Sequence, residues 1–346
     1  MRKLSGLIVL LLIAVPSYTQ QTRDSGQSTG PQPLTLDVIV SVKSGPPVAG
    51  LQQSDFTLLD NKHPREIRSF RAVGANSADV PVEIILLIDE VNAPFSAVAN
   101  MRIRLKKFLL ENGGNLPHPV SLILFADSET KMVNPSRDGN VLASELDQNE
   151  TALRTSRRSQ GVYGAADRMQ MSIRTLGSLA TFEEKRPGKK ILIWLSPGWS
   201  SLTGNPGQLT SEDREWFFNT IVAAGTALRQ ARVTLYSIDP TGAAEAGSSR
   251  ASYYETFLKP VRKANNAEGG DLMLPVLAEQ SGGRVLNSNN DVASEIRTCA
   301  ADADNYYVLS VDPLPADGPN DFHSIEIKID KPGLTARTRV GYYAQP

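Results

Sequence analysis

The chain has 346 residues, with 36 basic side chains against 37 acidic ones and an apolar share of 40%. That is enough for about two domains of common size. Acids and bases are interspersed with no basic stripe, which excludes a nucleic-acid partner as the expected one; the single Cys299 excludes an internal disulfide.

Arg2 and Lys3, the apolar run Leu4 to Val15 and the short exit Pro16 to Gln20 read as a secretory signal over residues 1–20. Its apolar run is shorter than the roughly 18–20 residues a spanning helix needs. Cleavage there removes two bases and no acid, leaving a net charge of −3 and no membrane attachment; the expected location is secreted or periplasmic. Residues 21–33 (QTRDSGQSTGPQP) have the composition of a flexible leader. A β segment follows over 34–73: LTLDVIVSV, then DFTLLD and REIRSFRAV flanking DNKHP like a hairpin.

From Val82 the pattern changes to apolar runs alternating with helical stretches, the signature of βαβ units around a mostly parallel sheet. The strands expected are Val82 to Ile88, Val120 to Ala126, Lys190 to Leu195, Arg232 to Ile238 and Arg284 to Asn287. The helices expected are Ala97 to Glu111, Val162 to Leu179, Ser211 to Gln230, Asp271 to Gln280 and Asp291 to Asp302. Gly282 and Gly283 supply the positive φ of a helix end. Past residue 304 the pattern reverts to β in YYVLSVDP, HSIEIKID and TARTRVGYYA. The flanking β segments, 34–73 and 304–346, each bury too little alone, so the pattern predicts that they pair into one small β-sandwich beside the α/β domain of 81–303.

Several local sequences in 81–303 come in a telling order: IILLIDEVNAPF, VSLILFADSETKMVNP, KILIWLSPGW, RVTLYSIDPTG and LAEQSGGRVLN. In that order they resemble the von Willebrand factor A family, whose domains are Rossmann-like. Together with the flanking β segments, the mature chain resembles exported members of that family abundant in Acidobacteria. The resemblance implies a metal-ion-dependent adhesion site at the carboxyl ends of the strands. There an Asp-x-Ser-x-Ser loop and a Thr-Asp-Gly turn hold a Mg²⁺-like ion through hard oxygen ligands. Here the first loop reads Asp89, Val91, Ala93, and the second reads Ser196-Pro197-Gly198. Most ligands are gone, so the site is expected to be degenerate. The loop threonine of the family has only Thr155, Ser156 and Ser159 as counterparts.

A reduced cation site would use Asp89, Asn92, Ser196 and Asp239, with Asp127 on a neighbouring strand; turn and helix capping is the commoner use of such residues. The same carboxylates are all that a metal-dependent hydrolase reading could use. His63, His118 and His323 fall in three separate segments, and nucleophile elbow, phosphate loop and dinucleotide fingerprint are missing from the sequence. Trp194 reads as strand core and Cys299 as a small core residue. Phe95 and Trp199 read as exposed anchors on a Pro-stiffened rim that also includes 200–206, since large aromatics dominate protein contacts. The long stretch 241–263 is a loop of functional length. The expectation is a non-enzymatic binding or scaffold module without a required cofactor, whose partner is an unidentified protein.

Overall fold

The computed structural model describes residues 33–43, 45–74, 81–149, 161–199, 209–241, 252–287 and 289–346. The signal and leader assignments (Pro33 aside) lie outside the described residues, as do Thr155, Ser156, Ser159, the 200–206 part of the rim and 242–251 of the long loop.

The N-terminal segment forms β1 (Leu34–Val42), β2 (Phe56–Asp60), β3 (His63–Arg65) and β4 (Ile67–Val73). Asn61 and Lys62 both take positive φ, 47° and 68°, the two-residue turn that suits a tight hairpin. Only β3 completes that hairpin. The expected strand Arg65 to Val73 is instead divided at Glu66: β3 stays on β2, while β4 leaves for the other sheet and pairs with β11 (Tyr306–Val311).

The α/β part runs β5 (Val82–Asp89), α1 (Phe95–Leu109), β6 (Asn115–Phe125), β7 (Thr130–Asp138), α2 (Gly139–Gln148), α3 (Gly161–Glu184) and β8 (Lys189–Leu195). It continues through α4 (Ser211–Gln230), β9 (Val233–Ile238), α5 (Leu274–Ser281), β10 (Val285–Leu286) and α6 (Val292–Ala300). Its six strands lie in the order β10-β9-β8-β5-β6-β7, all parallel except β7, which turns back on β6. That is the strand order of a Rossmann-like sheet, and the fold is von Willebrand factor A-like. β5 is buried at all eight positions, as a central strand covered on both faces must be. One face packs on α1, α2 and α6 through Ile84, Leu86, Met101, Leu105, Leu142 and Ile296. The other packs on α3, α4 and α5 through Ile85, Leu87, Met169, Ile221 and Leu277.

The expected helix from Asp271 begins later, at Leu274, after a 3-10 turn over Gly269–Leu272. Pro275 sits in its first turn, where a missing N–H costs nothing. At its end Gly282 takes φ 92°. Gly283 serves a different need from the one expected: a Cβ there would stand 1.7 Å from the Leu235 carbonyl, so only glycine lets the helix end approach β9.

The C-terminal segment adds β11, β12 (Asp321–Ile329), β13 (Leu334–Arg337) and β14 (Gly341–Ala344). Together with β1 to β4 they make two four-stranded sheets, β13-β1-β11-β4 and β14-β12-β2-β3. The two ends of the chain are thus interleaved strand by strand, with Leu36 opposite Leu309 and Leu58 opposite Ile327. Leu36, Val38, Leu58, Tyr307, Leu309 and Ile325 fill the space between the sheets. The outer faces join the α/β cores: Ile39, Val73 and Tyr306 on one side, Phe322 and Tyr343 on the other.

Because these cores are shared, sandwich and α/β domain should unfold together. All three tryptophans, Trp194, Trp199 and Trp216, lie outside the sandwich. Leu309→Ala, at the centre of the sandwich, is expected to cost about 2–5 kcal/mol and to lower the tryptophan-detected urea midpoint by that loss divided by the m-value. A tryptophan transition that stays in place would mean that the sandwich melts separately.

Candidate functional site

The carboxyl ends of β5, β6, β8 and β9 are level with one another, Asp89 facing Phe125 and Leu195 facing Ile238. Asp89 ends β5 and is completely buried. A buried carboxylate must have its charge met by hydrogen-bond donors or a cation, and here five donors converge on it. Oδ1 accepts the backbone N–H groups of Val91 (3.0 Å) and Asn92 (2.8 Å). Oδ2 accepts from Asn92 Nδ2 (2.8 Å), Trp194 Nε1 (3.0 Å) and Ser196 Oγ (2.7 Å). A carboxylate offers about four lone-pair positions, so this one is saturated.

The donors are themselves fixed. Ser196 Oγ receives Gly198 N–H at 2.9 Å, and Asn92 Nδ2 reaches Ser172 Oγ at 2.9 Å, tying the loop after β5 to α3. The residues present do not suit a Mg²⁺-like ion. Val91 and Ala93 bring no side-chain oxygen and point into the core, at 5% and 0% exposure. The indole N–H and the amide Nδ2 aim hydrogens, which a cation repels, at the oxygen it would need.

Of the four residues expected to form a reduced cation site, Asn92 and Ser196 both donate to Asp89. Asp239 is engaged elsewhere: its Oδ1 accepts from Thr241 N (2.9 Å) and Thr241 Oγ1 (2.6 Å), the turn-fixing role usual for Asp before Pro. Asp127 is exposed beyond the end of β6. Glu90, next to Asp89, has its side chain largely buried beside Arg102 at 3.5 Å. Burial raises its pKa, Arg102 offsets part of that, and Asp89 and Asp127 add to the rise.

Two roles near this edge were missed by sequence reasoning. The Trp194 indole is a polar partner of Asp89 as well as strand core; an aromatic one position before Leu195-Ser196 gave no sign of that. Glu295, on α6, is buried with Oε2 lacking a partner. Desolvation, with Asp239 nearby, pushes its pKa up to about 7.

The aromatic rim needs one correction. Trp199 is not an exposed anchor: it is 3% exposed, donates Nε1–H to the Leu272 carbonyl at 2.8 Å and meets Trp194 edge-on at 5.4 Å. The positive φ of Gly198, 80°, turns the chain inward there, so the ring fills core between β8 and the segment before α5. Phe95, at the first position of α1, is 54% exposed.

No protein-family model matches the sequence, and no curated protein does. Among solved structures the chain is similar to the human COPII-coat protein Sec24c, at 9% identity and TM-score 0.34 over 77% of this chain and 44% of that one. It is similar to the pilus adhesin SpaC from Lactobacillus rhamnosus GG in its open conformation, at 11% identity and TM-score 0.37 over 86% of this chain and 49% of that one. It is also similar to the VWA domain of SpRpn10, at 14% identity and TM-score 0.19 over 46% of this chain and 89% of that one. The chain spans less than half the length of the first two. These likenesses are of fold alone, and the fold assignment rests on the strand order above. Among the described residues, no helix is long and apolar enough to cross a membrane.

Two measurements check this geometry. Asp89→Asn puts an NH₂ group among five donors and is expected to lower unfolding free energy by about 2–3 kcal/mol in urea; an unchanged midpoint would contradict the donor set. Glu295 is held protonated in the fold up to about pH 7, against about 4.3 in an unfolded chain. Its contribution is therefore present below the unfolded value and lost as pH rises through 7. Glu295→Gln should gain thermal stability over wild type at pH 8 and little at pH 4; an equal difference at both would refute this.

Proposed function

We propose that the protein is an exported, non-enzymatic binding module that meets a partner protein through the loops at the carboxyl edge of its α/β sheet, without a cation at Asp89. The observation that carries this reading is the donor set of Asp89. In the metal-dependent version of such a site, an aspartate at this position would share the ion with hydroxyl ligands. Here the chain's own N–H and O–H groups take that role, so the loop is held in one shape with no ion to complete it. Phe95, at the start of the helix that follows this loop, is an exposed aromatic at the end of that helix nearest the loop, where a rigid ring gives contact area at low entropic cost. Export rests on the signal-like residues 1–20, which place the module in the periplasm or outside the cell.

Thermal melts with Mg²⁺, Mn²⁺ or Ca²⁺ against EDTA, on wild type and Asp89→Asn, test the absence of a cation. The expected outcome is no shift. A metal-loaded site would instead add about 2.7 kcal/mol at a hundredfold excess over Kd, and a wild-type shift lost in Asp89→Asn would overturn the reading. For the contact face, Phe95→Asp should abolish retention of a partner from cell-envelope extract while Trp216→Asp, on α4, retains it. Equal retention by both variants would move the contact face elsewhere.

A further inference from the structure

Where α4 and α5 meet the chain entering β14, a partly enclosed cavity of about 30 Å³ is lined by Gly225, Leu228, Gln280, Arg339 and Tyr342, among others. Its two walls are fixed by backbone contacts. Val340 N–H donates to the Gln280 carbonyl at 3.1 Å, which seats Arg339 beside α5. Arg229 stands one helical turn beyond Gly225 on α4.

The cationic groups here lack an anion. No side-chain hydrogen bond or ion pair of Arg229 or Arg339 is found among the described residues. Arg229 Nε is buried and unpartnered, and so is Gln280 Nε2. The two guanidinium groups are close enough to repel: burial and then Arg229 push Arg339 down to about 10, with Asp37 acting the other way. Asp37 is already paired with Arg232. Tyr342 gives its hydroxyl to Asp60 at 2.7 Å and offers no negative charge. Arg339 and Gln280 line the cavity and Arg229 stands one helical turn from the lining Gly225; two half-buried like charges this near one another are costly unless something negative joins them.

We propose that this cavity is a binding site for a small oxyanion, a carboxylate or a phosphate group, held by Arg229, Arg339 and Gln280 Nε2. The planar guanidinium fork presents paired N–H groups that match both anions, and the amide adds a neutral donor. About 30 Å³ is twice what one water needs, the footprint of two oxygens, with the rest of the anion at the open side. A bound anion would tie the last turn of α4 to the chain leading into β14 and so strengthen the seam between α/β domain and sandwich. The proposal is independent of the carboxyl-edge reading.

The test is thermal melting of the full chain in inorganic phosphate, sulfate or acetate against chloride at matched ionic strength, on wild type, Arg339→Gln and Arg229→Gln. Oxyanions should raise the wild-type midpoint by about 3 °C at a tenfold excess over Kd, and each variant should lose most of that rise. In chloride, Arg339→Gln should melt no lower than wild type, because the substitution relieves the repulsion. A larger response to phosphate and sulfate identifies a free tetrahedral anion; a larger response to acetate identifies a carboxylate. Equal responses in wild type and both variants, or no response in wild type, would overturn the proposal. Arg229→Gln, on α4 next to the lining Leu228, decides the matter should Arg339→Gln fail to fold.

Discussion

Asp302 is completely buried where the α/β domain hands over to the sandwich, and the two-part architecture depends on how its charge is met. Its carboxylate accepts from Tyr236 Oη of β9 at 2.8 Å and from Arg337 at the end of β13. Its backbone carbonyl accepts from Lys189 Nζ at 3.0 Å. Lys189, itself buried at the start of β8, lies 4.2 Å over the Tyr306 ring of β11 and is pushed down to about 8 by desolvation, against the pull of Asp37 and Asp302. Arg337 also donates to the Gly282 carbonyl, the αL end of α5. One residue thus gathers two strands of the sheet, the end of a helix and two strands of the sandwich. Removing one member would leave the others buried and charged, the costly case for ion pairs. The benefit of such a network is in orientation more than in net energy.

That network also explains why the chain can interrupt one domain with another. The sandwich needs strands from both ends of the sequence, and their pairing across more than 260 positions, as in Leu36 with Leu309, carries a closure cost that grows only slowly with loop length. The intervening α/β domain reduces the cost further by folding into a rigid spacer. Lys190 contributes at the same end, its Nζ donating to the Glu183 and Ala231 carbonyls and so finishing α3 and α4 with a positive charge at their negative ends.

The strands of the sheet were legible because a strand buried on both faces must be apolar over most of its length, and VEIILLI and KILIWL are, apart from Glu83 and Lys190 at their amino ends. α2 was missed since Gly139 and Asn140 open it, although Asp138 accepts from Asn140 N–H as its cap and Leu142, Ala143 and Leu146 are buried at helical spacing; those residues were the available signal. The fate of REIRSFRAV was not legible, because crossing between sheets at Glu66 is decided by partners more than 200 residues away. For the candidate site, the loss of oxygen ligands at Val91, Ala93 and Pro197 could be read directly. What replaced the ion could not: the Trp194 indole reaches Asp89 across 105 positions, and nothing in the local sequence marks a strand tryptophan as a carboxylate's partner. Trp199 failed as an anchor for a related reason, since exposure is a property of the neighbours around a residue, and here those neighbours are Trp194 and Leu272.

The two ends of the sheet therefore handle buried charge in opposite ways, and this decides which end is free to act. At the amino ends of β8 and β9, Arg232 is paired with Asp37, Arg337 with Asp302, and Lys189 donates to the Asp302 carbonyl, with strands of the sandwich packed against them. At the carboxyl ends, the Asp89 charge is met by dipoles from its own loop and from β8, which occupy the positions an ion would need. A loop locked by neutral donors keeps its shape when salt or metal changes, since dipoles are not released as counter-ions are. A contact face built on such an edge would recognise its partner by shape and apolar area at Phe95, and the salt dependence of that binding should accordingly be weak.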